Sequence, residues 1–127
     1  MPVGQRGGAA ALWLPPIALM AVIFGLSAMP TDDVDHGLLY LIVRKAAHFT
    51  EYALLTVLWW RALRTRAAES AALAGAVAIA VGYAITDEIH QTFVDGRTGS
   101  PVDVLIDTGG AAAAALLVSR YRRRVSV

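Results

Sequence analysis

AAALWLPPIALMAVIFGLSAM, residues 9–29, decides the fold class. From Gly7 to Thr31 no side chain is charged. A bilayer core of about 30 Å needs about 20 such residues as helix, so this run is long enough to cross one. Pro15 and Pro16 interrupt it. Either the regular helix starts near them, where proline is tolerated in a first turn, or the helix is kinked there. The run is long for the apolar region of a signal peptide, and Gly25–Met29 lacks a good small-x-small cleavage site. It is therefore expected to remain as a membrane span.

The rest of the 127-residue chain agrees. Hydrophobic residues make up 57% and charged residues 17%, against about 45–50% and about 25% in soluble domains. A soluble chain this small cannot hide so much apolar surface, and disordered chains are polar and charged. With no cysteine in the chain, a disulfide framework, a thiolate metal site and a cysteine nucleophile are excluded. No repeat of 20–50 residues and no low-complexity linker breaks the chain. One domain over residues 1–127 is expected.

Three further apolar stretches follow. Ala46–Trp60 is apolar except for His48, Thr50 and Glu51, and it can extend backward through Leu38–Val43, past Arg44 and Lys45. Ala71–Ile85 is rich in alanine and glycine and runs on into Thr86-Asp87-Glu88-Ile89-His90-Gln91. Val104–Ser119 is apolar except for Asp107. Alanine content and length favour helices over strands. The expected architecture is an all-α integral membrane bundle of four transmembrane helices, roughly 9–29, 45–61, 71–91 and 103–120. Short loops make neighbours antiparallel. Ala74, Ala78 and Gly82 on the third helix, and Gly110 and Ala114 on the fourth, form small-residue stripes suited to close helix packing.

Charge in the connections orients the bundle. Arg6 precedes the first span. Arg61, Arg64 and Arg66 lie in the second connection, and Arg120, Arg122, Arg123 and Arg124 in the tail. Asp32, Asp33, Asp35, Asp95 and Asp103 lie in or beside the other two connections. The positive-inside rule then places both termini in the cytoplasm of a multi-pass protein. Arg44 and Lys45, at the far end of the first connection, break the pattern. The basic tail reads as an anchor at the anionic inner leaflet, not as a nucleic-acid site.

On this topology three separate stretches bring their polar groups to one depth, on the outer side. These are His48, Glu51 and Tyr52; Asp87, Glu88, His90 and Gln91; and Asp103 and Asp107. His48 and Glu51 are three residues apart, and Tyr52 is four from His48, so they share a helix face. Asp87 and Gln91 share another, and Asp103, Asp107 and Gly110 a third. A charge at a helix centre in a bilayer costs about 2.5–3.5 kcal/mol on insertion scales, so such residues face the bundle interior and point to a functional site. Arg44 and Lys45 then supply counter-charge to a carboxylate-rich pocket. Arg97, in the turn-forming stretch Asp95-Gly96-Arg97-Thr98-Gly99-Ser100-Pro101, is either a clamp on Asp103 or a fork for a phosphate or carboxylate.

Lys45-Ala-Ala-His48-Phe-Thr-Glu51-Tyr52, then Thr86-Asp87-Glu88-Ile-His90-Gln91 through Gly96-Arg97-Thr-Gly-Ser, then Asp103-Val-Leu-Ile-Asp107-Thr-Gly109 resembles the VanZ-like family. The motif-bearing part runs from about residue 44 to 117. The family pattern carries over at Lys45, His48, Tyr52, Asp87, Glu88, Gln91, Arg97 and Asp103. Position 107, commonly Asn in that family, is Asp here. The resemblance implies a small polytopic protein of the bacterial cell envelope, in a family whose founding members are associated with teicoplanin resistance. Some relatives carry an acyltransferase-like label, but the sequence holds no nucleotide or coenzyme A fingerprint.

The first functional expectation is an outward pocket that binds an anionic lipid or cell-wall precursor group through Lys45, His48, Tyr52, Asp87, Glu88, Gln91, Arg97, Asp103 and Asp107. The second is an intramembrane enzyme. There His48 is a general base oriented by Glu51, or Asp87 and Glu88 carry the acid–base chemistry. A metal variant of it uses His48, Glu51 and Asp87 with His90 as N/O ligands. The third is a structural helper that packs against another membrane protein. No cofactor is assigned.

Overall fold

A computed structural model describes residues 4–28, 37–94 and 101–125. The side chains of Arg6, Asp32, Asp33, Asp35, Asp95 and Arg97 lie outside the described residues. The elements are four helices, α1 (Gly4–Ser27), α2 (Gly37–Leu63), α3 (Glu69–Gln91) and α4 (Pro101–Val125). Three of them, α1, α3 and α4, are long and apolar enough to cross a membrane. The 27-residue α2 is just as long, but it carries Arg44, Lys45, Glu51 and Arg61.

The boundaries refine the expectation. α1 runs through Pro15 and Pro16 without stopping. Proline inside a membrane helix is tolerated where neighbouring groups re-satisfy the backbone, and here Pro16 is fully buried in the bundle. α2 begins at Gly37, whose φ of +89° suits glycine, and not near residue 45. Arg44 and Lys45 are therefore well inside a helix, two turns from its start, where they can turn toward a neighbouring helix. α4 opens on Pro101, a favoured first-turn residue because its missing N–H has no helical partner there. At the end of α3, Thr92, Phe93 and Val94 donate to Ile89, His90 and Gln91 and close the last turn.

The helices alternate in direction. Contacts between Gln91 and Ser27, and between Lys45 and Asp103, gather the end of α1, the start of α2, the end of α3 and the start of α4. Contacts of Glu69 with Trp60 and Arg122 gather the opposite ends. α2 is central and touches all three other helices, α4 most extensively. α1 rests on α2 and, less, on α3, with no close approach to α4 among the described residues. A bond from the Tyr83 hydroxyl to the Met20 carbonyl, 2.5 Å, ties α3 to α1.

The core has two layers. Ile23, Tyr52, Leu55, Ala80, Ala84 and Ala111 form one, flanked by Leu19, Met20, Trp59 and Tyr83. Trp60, Ala72, Ala76 and Val118 form the other. The small-residue stripe of α3 is thus Ala72, Ala76, Ala80 and Ala84, all buried. The expected stripe, Ala74, Ala78 and Gly82, faces outward. On α4 the expectation holds, since Gly110 and Ala114 are both buried.

Leu38, Leu39, Ile42, Val43, Leu105, Leu116 and Leu117 are strongly exposed. Such an apolar exterior suits hydrocarbon and is unfavourable in water. Small residues inside and large apolar ones outside is the arrangement of a membrane bundle, where packing and not water exclusion holds helices together.

Candidate functional site

The polar residues singled out in the sequence collect at one end of the bundle. α2 brings Lys45, His48, Glu51 and Tyr52 down one face, because spacings of three and four residues stay on one side of a helix. Tyr52 ends this row in the core, fully buried. α3 continues its alanine stripe into Asp87, Glu88 and Gln91, all three buried. α4 brings Asp103 half-buried and Asp107 only 1% exposed.

Two cross-helix pairs join α2 to α4. The Lys45 ammonium binds the Asp103 carboxylate. One turn deeper, His48 Nδ1 lies 3.4 Å from Asp107 Oδ1, within ion-pair reach but outside hydrogen-bond geometry. The sequence spacing pairs His48 with Glu51; in the structure its near partner is Asp107. Glu51 and Asp87 still lie close enough for their charges to act on His48, and the charges of Asp87, Asp107 and Glu51 act on Tyr52. On the α1 side Gln91 Nε2 donates to Ser27 Oγ at 3.4 Å.

Gly110 permits the His48–Asp107 approach. A Cβ at Gly110 would stand 2.2 Å from the Phe49 carbonyl oxygen. The α4 backbone therefore rests directly on that of α2 beside His48. A carboxylate one turn earlier on α4 is then carried against the imidazole.

The layer holds more acceptors than donors. Among the described residues both oxygens of Asp87 and of Asp107, the Tyr52 hydroxyl and Nδ1 of His48 and of His90 are buried without a hydrogen-bond partner. Buried polar atoms are normally satisfied, so this concentration is unusual. His90 belongs to a different surface: its ring stacks on Phe24 of α1, centroids 4.5 Å apart. No three His, Asp or Glu side chains among the described residues gather closely enough to hold a metal ion. His48, Glu51, Asp87 and His90 are thus not drawn together as a ligand set. Arg97 lies outside the described residues.

Two features were missed in the sequence. Ser27 is the one hydroxyl in the first apolar run, and it lies on the buried seam with Pro16 and Ile23. An isolated hydroxyl in a span, on the face of its buried neighbours, was the available signal. The other is a clamp at the opposite end. Glu69 accepts from Trp60 Nε1 at 3.0 Å, and its other oxygen meets Arg64 at 3.2 Å and Arg122 at 2.6 Å. Arg64 also lies over the Trp60 ring, 4.6 Å from its centroid. A single acid among many arginines, at the start of a helix, was the clue.

The family model described as VanZ/LLP1 matches residues 12–122, nearly the whole chain. The chain belongs to that family and is a membrane protein with several apolar helices. No curated protein and no solved structure matches it.

Proposed function

We propose that this member of the VanZ/LLP1 family is one four-span domain over residues 1–127 of the bacterial cell membrane, with both termini cytoplasmic. Its polar layer opens outward and binds the head group of an anionic lipid or cell-wall precursor. α2 serves as the fourth span. Its length supports this, as does the placement of its charges: Arg44 and Lys45 two turns in from one end and Arg61 at the other, with Lys45 and His48 turned toward α4.

The observation that carries the binding reading is the set of buried Asp87 and Asp107 carboxylates and the Tyr52 hydroxyl that accept or donate no hydrogen bond within the protein. An ionised carboxylate only accepts hydrogen bonds. A head group rich in hydroxyls or amide N–H groups, as a sugar or peptide part is, supplies the matching donors. Its anionic linkage falls to Arg97, because Lys45 is already held by Asp103. The planar guanidinium fork suits a phosphate or carboxylate.

The deciding experiment is lipid identification by mass spectrometry on purified protein, with Arg97→Lys and Asp107→Asn at matched expression. The reading expects a bound anionic amphiphile that is depleted in Arg97→Lys and kept or enriched in Asp107→Asn. Full retention in Arg97→Lys together with loss in Asp107→Asn refutes it.

The His48–Asp107 pair favours a second reading, an intramembrane acid–base enzyme. His48 is its general base and Asp107, in place of Glu51, its orienting carboxylate. His48→Gln separates the two. An enzyme loses turnover while keeping its bound amphiphile; a binding protein has no turnover to lose.

A further inference from the structure

A concave surface lies at the end of the bundle opposite the polar layer, on the exposed faces of α3 and α4. It is a groove of about 820 Å³, walled by Leu73, Ala78, Val81 and Ala115, with Glu69, Arg122 and Arg123 at its mouth. Along α3 it extends from Ser70 to Val81, about 16 Å at 1.5 Å per residue. That is about half the thickness of a bilayer core, the depth of one leaflet.

The mouth is cationic. Glu69, the acid there, already faces two guanidiniums, those of Arg64 and Arg122. Arg120, Arg123 and Arg124 stand on the adjoining turns of α4. An apolar slot one leaflet deep beneath an arginine cluster matches an acyl chain beneath a phosphate. A second copy docked through the same face would bring two arginine clusters together.

We propose that this groove holds one anionic phospholipid, its acyl chain between α3 and α4 and its phosphate at Arg122 and Arg123. The site is separate from the polar layer at the other end. It requires only that α3 and α4 cross the membrane.

The test uses the full chain in nanodiscs containing equal amounts of dioleoylphosphatidylglycerol and dioleoylphosphatidylcholine. Native mass spectrometry after release counts the lipids retained. The wild type should keep phosphatidylglycerol in preference to phosphatidylcholine. Arg122→Gln with Arg123→Gln should lower that preference about thirtyfold, since each basic residue at an anionic surface contributes about 1 kcal/mol. Ala78 faces outward, so Ala78→Trp leaves the bundle intact, fills the groove and should remove the retained lipid even if the arginine variant does not fold. Repeating the count in Arg97→Lys assigns any lipid lost there to the polar layer and not to the groove. Three results overturn the proposal: no preference for phosphatidylglycerol, unchanged retention in Ala78→Trp, or a protein dimer in place of lipid that Ala78→Trp dissociates.

Discussion

At the scale of single residues the proposed binding site is tested at Asp107. It is only 1% exposed and lies 3.4 Å from His48. Asp107→Asn keeps the shape, removes one negative charge and supplies a donor. The expected outcome is correct folding with anionic-lipid retention equal to or above wild type, read by mass spectrometry. His48→Ala is expected to be worse than His48→Gln for stability, because it removes the one polar side chain of α2 in ion-pair reach of the buried Asp107 carboxylate among the described residues. The difference should be about 1–3 kcal/mol in detergent unfolding. The sequence made both residues visible as ionisable groups inside apolar runs. It could not show their pairing, because spacing along one helix reveals neighbours on that helix and says nothing of register across to another. Hence Glu51, one turn away on α2, stood in for Asp107.

At the scale of helices, α3 offers a choice of faces that composition alone left open. Alanine and glycine occupy both the 74–78–82 row and the 72–76–80–84 row. The second row runs into Asp87, Glu88 and Gln91, and polar groups that avoid lipid mark the inner face; the first row runs into Thr86 and away from them. Ala80→Leu should therefore destabilise the bundle by about 1–3 kcal/mol through overpacking, while Ala78→Leu should stay within about 0.5 kcal/mol. Chemical unfolding in detergent checks the pair. The loop end of α3 gives another test. Glu69 joins the ends of α2, α3 and α4, but it and its arginine partners are more than a third exposed. Such pairs contribute little each. Glu69→Ala should cost about 1 kcal/mol, most of it from the Trp60 bond, and should be read as faster hydrogen exchange in the last turns of α4.

For the whole molecule, the all-helical bundle was legible because length and hydropathy are properties of a run and need no partner. The convergence of the polar blocks was legible for a related reason: alternating direction sends the start of α2, the end of α3 and the start of α4 to one end. What the sequence hid were contacts between surfaces with no shared spacing, such as Ser27 with Gln91. The proposed orientation in the membrane rests on the arginines of the second connection and tail, and a chain without cysteine allows a direct check. A single cysteine introduced at Ser70 should resist an impermeant maleimide applied to intact cells, whereas cysteines at Asp33 and Gly99 should react. Labelling at position 70 inverts the arrangement.

The contact of α4 with the Phe49 carbonyl has a consequence for descent as well as for structure. Position 110 admits a hydrogen and nothing larger, so every substitution there adds a Cβ that meets backbone 2.2 Å away. Its neighbour Gly109 would place a Cβ 3.5 Å from the Phe49 ring, an ordinary contact with a side chain that can shift. Two adjacent glycines with the same composition thus have opposite mutational futures: lineages can drift at 109, while at 110 each step away is a loss. A saturation library selected for membrane-inserted, folded protein should recover alanine and serine at 109 and glycine alone at 110.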